Sequence, residues 1–233
     1  MAPVASSKST SLSSIDISVV VPAYRAQPTI DRCLASLLNQ SFPGSYEVVV
    51  CASADEPSGL PAPPDHSRVT ILTQVPRMGA AAARNRAVAA ARGRLLVFTD
   101  ADVEAEPDWL EKLAFAAESK PCVAGSVRNG TPDSTVGTAE YLLEFIDLHP
   151  ARRPEAVHFG ATCNLALERN LWEEVGPFPE DLEGGEDTLL TVALRKRGLF
   201  GFAPGAAVNH LNRTRLREFL RHQYKFGRFT ARL

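Results

Sequence analysis

Leu95-Leu96-Val97-Phe98-Thr99-Asp100-Ala101-Asp102 carries an apolar run straight into a pair of carboxylates. Leu95 to Thr99 lacks the polar alternation of a half-exposed strand and reads as one buried on both faces of a parallel sheet. Similar strands are expected at Ile17 to Val21, ending at Pro22, and at Val48 to Cys51, Val69 to Leu72 and Cys122 to Val127. Helical patterns separate them. After Pro28, the residues Ile30, Cys33, Leu34, Leu37 and Leu38 follow the i, i+3, i+4, i+7, i+8 rule. Gly79 to Ala91 is alanine-rich and stopped by Gly93, while Pro107 and Asp108 open a helix bearing Trp109, Leu110 and Leu113. Pro57, Pro61, Pro63 and Pro64 exclude regular structure before the third strand. This alternation predicts an α/β Rossmann-like sandwich with a mostly parallel central sheet, whose ligands bind outside the carboxyl ends of the strands. Asp100 and Asp102 stand at such an end.

Past Val127 the rhythm changes. A helix is expected from Thr135 to Leu148, then a polar loop through Arg152 and Arg153, then a short strand over Asn164 to Leu167. Glu186 to Lys196 is helical and follows Gly184-Gly185, so Glu186 and Asp187 open a helix beside a flexible pair. Arg213, Arg217, Arg221 and Lys225 recur every four residues, and Arg228 and Arg232 continue the stripe beside Leu216, Phe219, Leu220 and Tyr224. A basic amphipathic C-terminal helix follows from that pattern.

The 233 residues are 45% hydrophobic and 22% charged, which excludes a stapled miniprotein and a disordered chain. The net charge of -2 gives no reason to expect nucleic acid as a partner. From His210 onward, however, seven basic residues face the single acid Glu218, a charge balance suited to an anionic membrane surface. Cys33, Cys51, Cys122 and Cys163 lack metal or redox spacing, so a reducing cytoplasm is expected, with the chain peripheral at the inner face of the cell membrane. No apolar run reaches the roughly 20 residues of a membrane span, and Met1 to Ser14 reads as a Ser-rich tail.

Two carboxylates one residue apart offer hard oxygens to Mn²⁺ or Mg²⁺. In order along the chain stand Val20-Val21-Pro22-Ala23-Tyr24-Arg25, Gly79 with Ala83-Arg84-Asn85, Phe98 to Asp102, and Gly185-Glu186-Asp187. From Ile17 to about His210 this set resembles the family 2 glycosyltransferases, inverting enzymes of the GT-A fold. The resemblance implies a metal-dependent transfer of sugar from a nucleotide-diphospho-sugar, UDP by family frequency, to the hydroxyl of a glycan, lipid-linked or small-molecule acceptor. It implies that Asp100 and Asp102 hold the metal, Asp102 more directly, and that Pro22, Ala23, Tyr24 and Arg25 line the nucleotide pocket with Asp100 and Ala101. Arg84 would lie near the base or phosphates, and Asp187, with Glu186 beside it, would be the general base. Asn164, Gly185 and Glu186 would form the acceptor side, and the late His210 would reach the metal or diphosphate. Where family members carry an Asp-Asp-Gly-Ser type turn, this chain has Cys51-Ala52-Ser53-Ala54-Asp55. The base contact then falls to Ala52 and Ser53, or to Asp55 with a shifted loop. Arg221 and Gln223 are expected to close over the diphosphate or to meet a membrane.

The corresponding division is a flexible tail over 1–15 and a transferase domain over 16–211, with a nucleotide-binding half (16–127) and an acceptor half (128–211). The basic helix occupies 212–233. Two other readings remain open at this stage: a nucleotidyltransferase, which would want a Gly-rich phosphate loop that the first strand lacks, and a nucleotide-sugar-binding pseudoenzyme or membrane scaffold, suggested by the altered turn and the basic tail.

Overall fold

The computed structural model describes residues 15–60, 66–182 and 184–230. The expected tail up to residue 14, the prolines at 61, 63 and 64, and residues 231–233 of the basic helix lie outside the described residues. The first half follows the expected alternation: β1 (Ile17–Tyr24), α1 (Ile30–Leu38), β2 (Tyr46–Ser53), β3 (Val69–Gln74), α2 (Ala80–Ala90) and β4 (Leu95–Thr99). These four strands lie side by side and parallel, β3-β2-β1-β4. β2 and β4 are buried along their whole length, as is the apolar run of β1, in agreement with their unbroken apolar character.

β1 runs past Pro22 to Tyr24 rather than stopping there. Its pairing with β4 ends at Val20, so Pro22 occupies a stretch that pairs with β2 alone and is tolerated as on an edge strand. Gly93 does more than end a helix. A Cβ there would meet the Ser18 backbone nitrogen at 2.3 Å, and the Gly93 N–H donates to Ser18 Oγ at 2.6 Å, so glycine lets the α2–β4 connection lie directly on β1.

The second half contains β5 (Val103–Ala105), α3 (Trp109–Ala117), β6 (Cys122–Asn129), α4 (Thr135–Glu144), β7 (Asn164–Glu168), α5 (Arg169–Val175), α6 (Glu186–Lys196), β8 (Phe200–His210) and α7 (Leu216–Thr230). It extends the same sheet in the order β4-β7-β6-β8-β5, with β7 antiparallel to both β4 and β6, and β5 antiparallel to β8. Only three residues long, β5 has too little periodicity to be read locally. The helix expected up to Leu148 stops at Glu144: Phe145 leaves helical geometry at φ −125° and packs its ring on His210, centroids 4.5 Å apart. A 3₁₀ turn over Ile146–Leu148 completes the segment.

Candidate active site

The parallel strands end on one side of the sheet, and a cavity of about 850 Å³ opens there. Pro22, Ala23, Tyr24 and Arg25 enter it from the end of β1, Ser53 from β2, and Asp100, Ala101 and Asp102 from the turn after β4. Glu186 enters from the start of α6 and His210 from the end of β8. The antiparallel register brings His210 to the acids, because it pairs with Val103 and the Leu211 N–H donates to the Asp102 carbonyl. A groove of about 910 Å³ beside α3, lined by Phe42, Phe115 and Phe202, includes none of these strand-end residues.

Arg84 is the central strut. Fully enclosed, it donates from Nη1 to Glu186 Oε1 at 2.8 Å and from Nη2 to Asp100 Oδ1 at 2.7 Å. Burial alone would lower its pKa, but the charges of Asp100, Glu186 and Asp187 outweigh that and hold it above its ordinary value. Glu186 moves the other way: burial pushes its carboxyl up, Asp187 and Asp100 add to that, and Arg84 only partly offsets them. Arg84 lines the cavity beside the acids to which it is tied. Its two terminal nitrogens are committed to protein carboxylates, leaving Nε as a buried donor with no partner among the described residues.

Asp187 sits in the first turn of α6, where free N–H groups favour negative charge. Its Oδ2 accepts from the backbone N–H and the hydroxyl of Thr162 at 2.9 and 3.0 Å, and its Oδ1 from the Thr188 N–H at 2.7 Å. Gly185 caps this helix at φ 74°, a left-handed conformation that favours glycine; of the two acids that follow, Glu186 lines the cavity, whereas Asp187 and Gly185 are not among its lining residues. Thr162 lies two residues before Asn164. Within that stretch, it is Thr162 that touches a site residue. Asn164 itself is buried, takes the Trp109 indole N–H on Oδ1, and donates to the Ser126 and Ala206 carbonyls. Its amide braces four segments of the core, so the expected acceptor contact is corrected.

His210 Nδ1 lies 3.0 Å from Asn212 Oδ1, and the Asn212 amide nitrogen is committed to Asn129 Oδ1, Thr131 Oγ1 and the His210 carbonyl. Asn212 therefore offers only an acceptor to Nδ1, which must carry the ring proton in the neutral imidazole. Nε2 is left with a bare lone pair, 3.7 Å from Asp102 Oδ1. In that neutral form Nε2 and Asp102, with Asp100 on the same cavity wall, make a donor set that fits a divalent cation. Asp100 is drawn aside by Arg84, and the three-ligand group gathered most tightly among the described residues is a different one: Glu140, Glu144 and His222, within 4.8 Å. Arg213 already pairs with Glu140 there, which opposes a further cation.

At the base end, Asp55 accepts from Tyr24 Oη at 2.7 Å and from Arg25 at 3.1 Å, and these bonds, the tyrosine's first, hold its carboxyl below the usual value. Arg77 stacks over the Tyr24 ring at 4.6 Å. Asp55 thus fastens the cavity rim. Ala52 is fully buried in β2 and lends the cavity no surface, so its expected contact is corrected in favour of Ser53. On α7, Arg221 stays outside the cavity and Gln223 donates to Glu144 at 2.5 Å, whereas His222, Lys225, Phe226 and Arg228 line the wall. The helix is rotated relative to the expected diphosphate contact. His222 against Glu144 at 3.0 Å, together with Arg213 against Glu140, sets that rotation.

A Rossmann-like parallel half-sheet completed by a mixed half, with acids and a histidine at the strand ends, is the architecture of the GT-A class of nucleotide-sugar transferase. The sequence model of glycosyl transferase family 2 matches residues 18–176, and the chain belongs to that family. Glycosyltransferase AglE of Haloferax volcanii is 26% identical over 220 residues, 91% of this chain and 72% of its own length. Pre-mycofactocin glycosyltransferase of Mycobacterium tuberculosis is 27% identical over 94% of this chain, which spans only 47% of that relative. Among solved structures, Staphylococcus aureus TarS 1-349 in complex with UDP superposes with a TM-score of 0.60 at 19% identity, over 83% of this chain and 59% of that one. Mannosyltransferase PcManGT of Pyrobaculum calidifontis, in complex with GDP-Man and Mn²⁺, gives 0.61 at 23% identity, over 86% and 58%. The chain is a glycosyltransferase of the GT-A fold, and among the described residues no helix is long and apolar enough to cross a membrane.

Proposed function

We propose that the chain moves a sugar from a UDP-linked donor to an acceptor hydroxyl with inversion, Asp187 acting as general base and Asp100, Asp102 and His210 holding Mn²⁺ or Mg²⁺. The observation that supports this reading is His210 Nε2 facing Asp102 on the cavity wall, with Asp187 next in sequence to Glu186, which lines the same cavity from the start of α6. When bound, the metal supplies positive charge that stabilises a departing diphosphate. An acceptor hydroxyl cannot ionise unaided at neutral pH, so a carboxylate in hydrogen-bond reach must take its proton as its oxygen bonds to the sugar C1. The C1–oxygen bond to the diphosphate breaks in the same step, and the nucleoside diphosphate leaves from the opposite face. Thr162 fixes the orientation of the Asp187 carboxylate, while Lys225 and Arg228 place two cations on the cavity wall that suit a diphosphate.

The complexes of TarS with UDP and of PcManGT with GDP-Man and Mn²⁺ support a nucleotide donor and leave the base to be measured. WfgD of Escherichia coli, whose name specifies a diphosphoundecaprenol acceptor, is 35% identical over 88 residues and supports a lipid-linked acceptor. The test is a thermal-shift panel of UDP, GDP, dTDP and CDP, each with and without Mn²⁺. A rise in midpoint for UDP that needs Mn²⁺ is expected. A larger rise for another nucleotide overturns the UDP assignment, and a rise independent of metal overturns the cation site.

A further inference from the structure

Leu216, Leu220 and Tyr224 are four residues apart on α7 and share one face of it. They are 58%, 56% and 69% exposed, high values for large apolar groups on a domain with a well-filled core. The face that holds α7 to the rest of the molecule is a different one: His222 and Gln223 reach Glu144 of α4, and Phe226 joins the cavity wall. His222 lies two residues beyond Leu220, about 200° around the helix. The apolar stripe therefore points away from the domain. Arg217, Arg221, Lys225 and Arg228 follow it along the neighbouring side, and none of them has an acidic partner among the described residues. Glu218, the acid of this helix, is taken by Arg215 at 3.5 Å. Leu142 and Leu143 on α4 add two more exposed leucines.

We infer that α7 is a lipid-docking element: its Leu216–Leu220–Tyr224 stripe enters the headgroup boundary of an anionic bilayer while the flanking Arg217 and Arg221 side chains, which lie outside the cavity, engage lipid phosphates. The charge selects this occupant. Arg217 and Arg221, without acidic partners among the described residues, complement anionic lipid beside the stripe, and a second copy packed symmetrically on the same face would bring cation against cation. The helix is too polar to span the bilayer, so it lies on it. Because Lys225 and Arg228 also line the cavity, docking brings the cavity mouth to the bilayer, where a lipid-linked acceptor of the proposed reaction would present its sugar. That consequence rests on the proposed function; the docking itself does not.

The test is co-sedimentation of the whole chain with vesicles of equal parts phosphatidylglycerol and phosphatidylcholine, against vesicles of phosphatidylcholine alone. Binding to the anionic vesicles should exceed that to the neutral ones and weaken as salt is raised. Leu216→Ser with Leu220→Ser should reduce it by about tenfold or more, and Arg217→Glu should reduce it separately. The same variants should keep the nucleotide-dependent thermal shift, which separates failure of docking from failure of the donor site. Equal binding to both vesicle types, or no loss in the leucine variant, overturns the inference. Absence of vesicle binding with a concentration-dependent dimer that the leucine variant abolishes also overturns it, by making a second copy the occupant.

Discussion

Two groups of buried acids flank the cavity, and they are balanced differently. Glu140 is met by Arg213 through both its backbone N–H and its guanidinium, and Glu144 by His222 and Gln223, so each carboxylate between α4 and α7 has its own partners. At the ends of β4 and α6, one guanidinium serves both Asp100 and Glu186, while Asp102 and Asp187 stand nearby without a salt-bridged arginine or lysine among the described residues. Pairwise neutralisation makes a staple that holds a helix. A surplus of negative charge at the mouth of a cavity makes a site, because only a ligand or a cation completes it.

The largest expected effect tests that surplus directly. Asp187→Asn should lower transfer about a hundred- to ten-thousand-fold, the range for a lost general base, with the thermal midpoint nearly unchanged; turnover within a few-fold of wild type would break the contrast. Next in size is Arg84→Met, which takes the shared cation from the buried Glu186 and the partly exposed Asp100. A loss of about 3–5 kcal/mol in urea unfolding is expected, and a loss below that of the α4–α7 staple would show that Asp100 and Glu186 are solvated after all. Glu140→Gln should cost less, about 1–3 kcal/mol, because one buried charge-assisted partner is lost. Its particular signature is faster amide exchange along α7, with the sheet unaffected.

The smallest effect is in the pH dependence and has opposite signs in the two groups. Burial pushes Glu144 up, but its bonds and charge contacts, chiefly with His222, bring it below the ordinary value of 4.5. Its stabilising contribution is therefore present above 4.5 and is lost as pH falls through the lower folded value. Glu186 is raised above 4.5, so its contribution is fully present below 4.5 and declines as pH rises through the folded value. Urea midpoints across this range should lose their acid-side fall in Glu144→Gln and their neutral-side fall in Glu186→Gln. Identical slopes in both variants would erase the distinction.

Much of this was legible before any coordinates. The runs at Ile17, Val48 and Leu95 needed no partner to be read, since a strand buried on both faces is apolar at nearly every position, whereas β3, at the sheet edge, is only partly buried. Asp100 and Asp102, expected from motif order, and His210, expected as a late histidine after the last strand, line one cavity. The errors cluster where a residue's role depends on what lies across the fold. Asn164 stands beside the pocket in sequence, yet its amide is claimed by Trp109, Ser126 and Ala206. Thr162, which holds Asp187, carries no signal of its own. Arg221 and Gln223 have suitable chemistry, but the phase of α7 places Lys225 and Arg228 in the cavity instead.

The sequence by itself determined the alternation of strands and helices, the apolar centre of the sheet, and the acids at the end of β4, because period, apolar content and the strand-to-turn boundary are local properties of the chain. Only the tertiary structure decided which guanidinium faces which carboxylate, which nitrogen of His210 is bare, and which side of α7 is turned inward. Those outcomes are set by contacts between residues far apart in the chain, such as Arg84 and Glu186, separated by 102 positions. A pair so distant leaves no periodicity in the chain to read, and its geometry exists only once the sheet has brought both ends together.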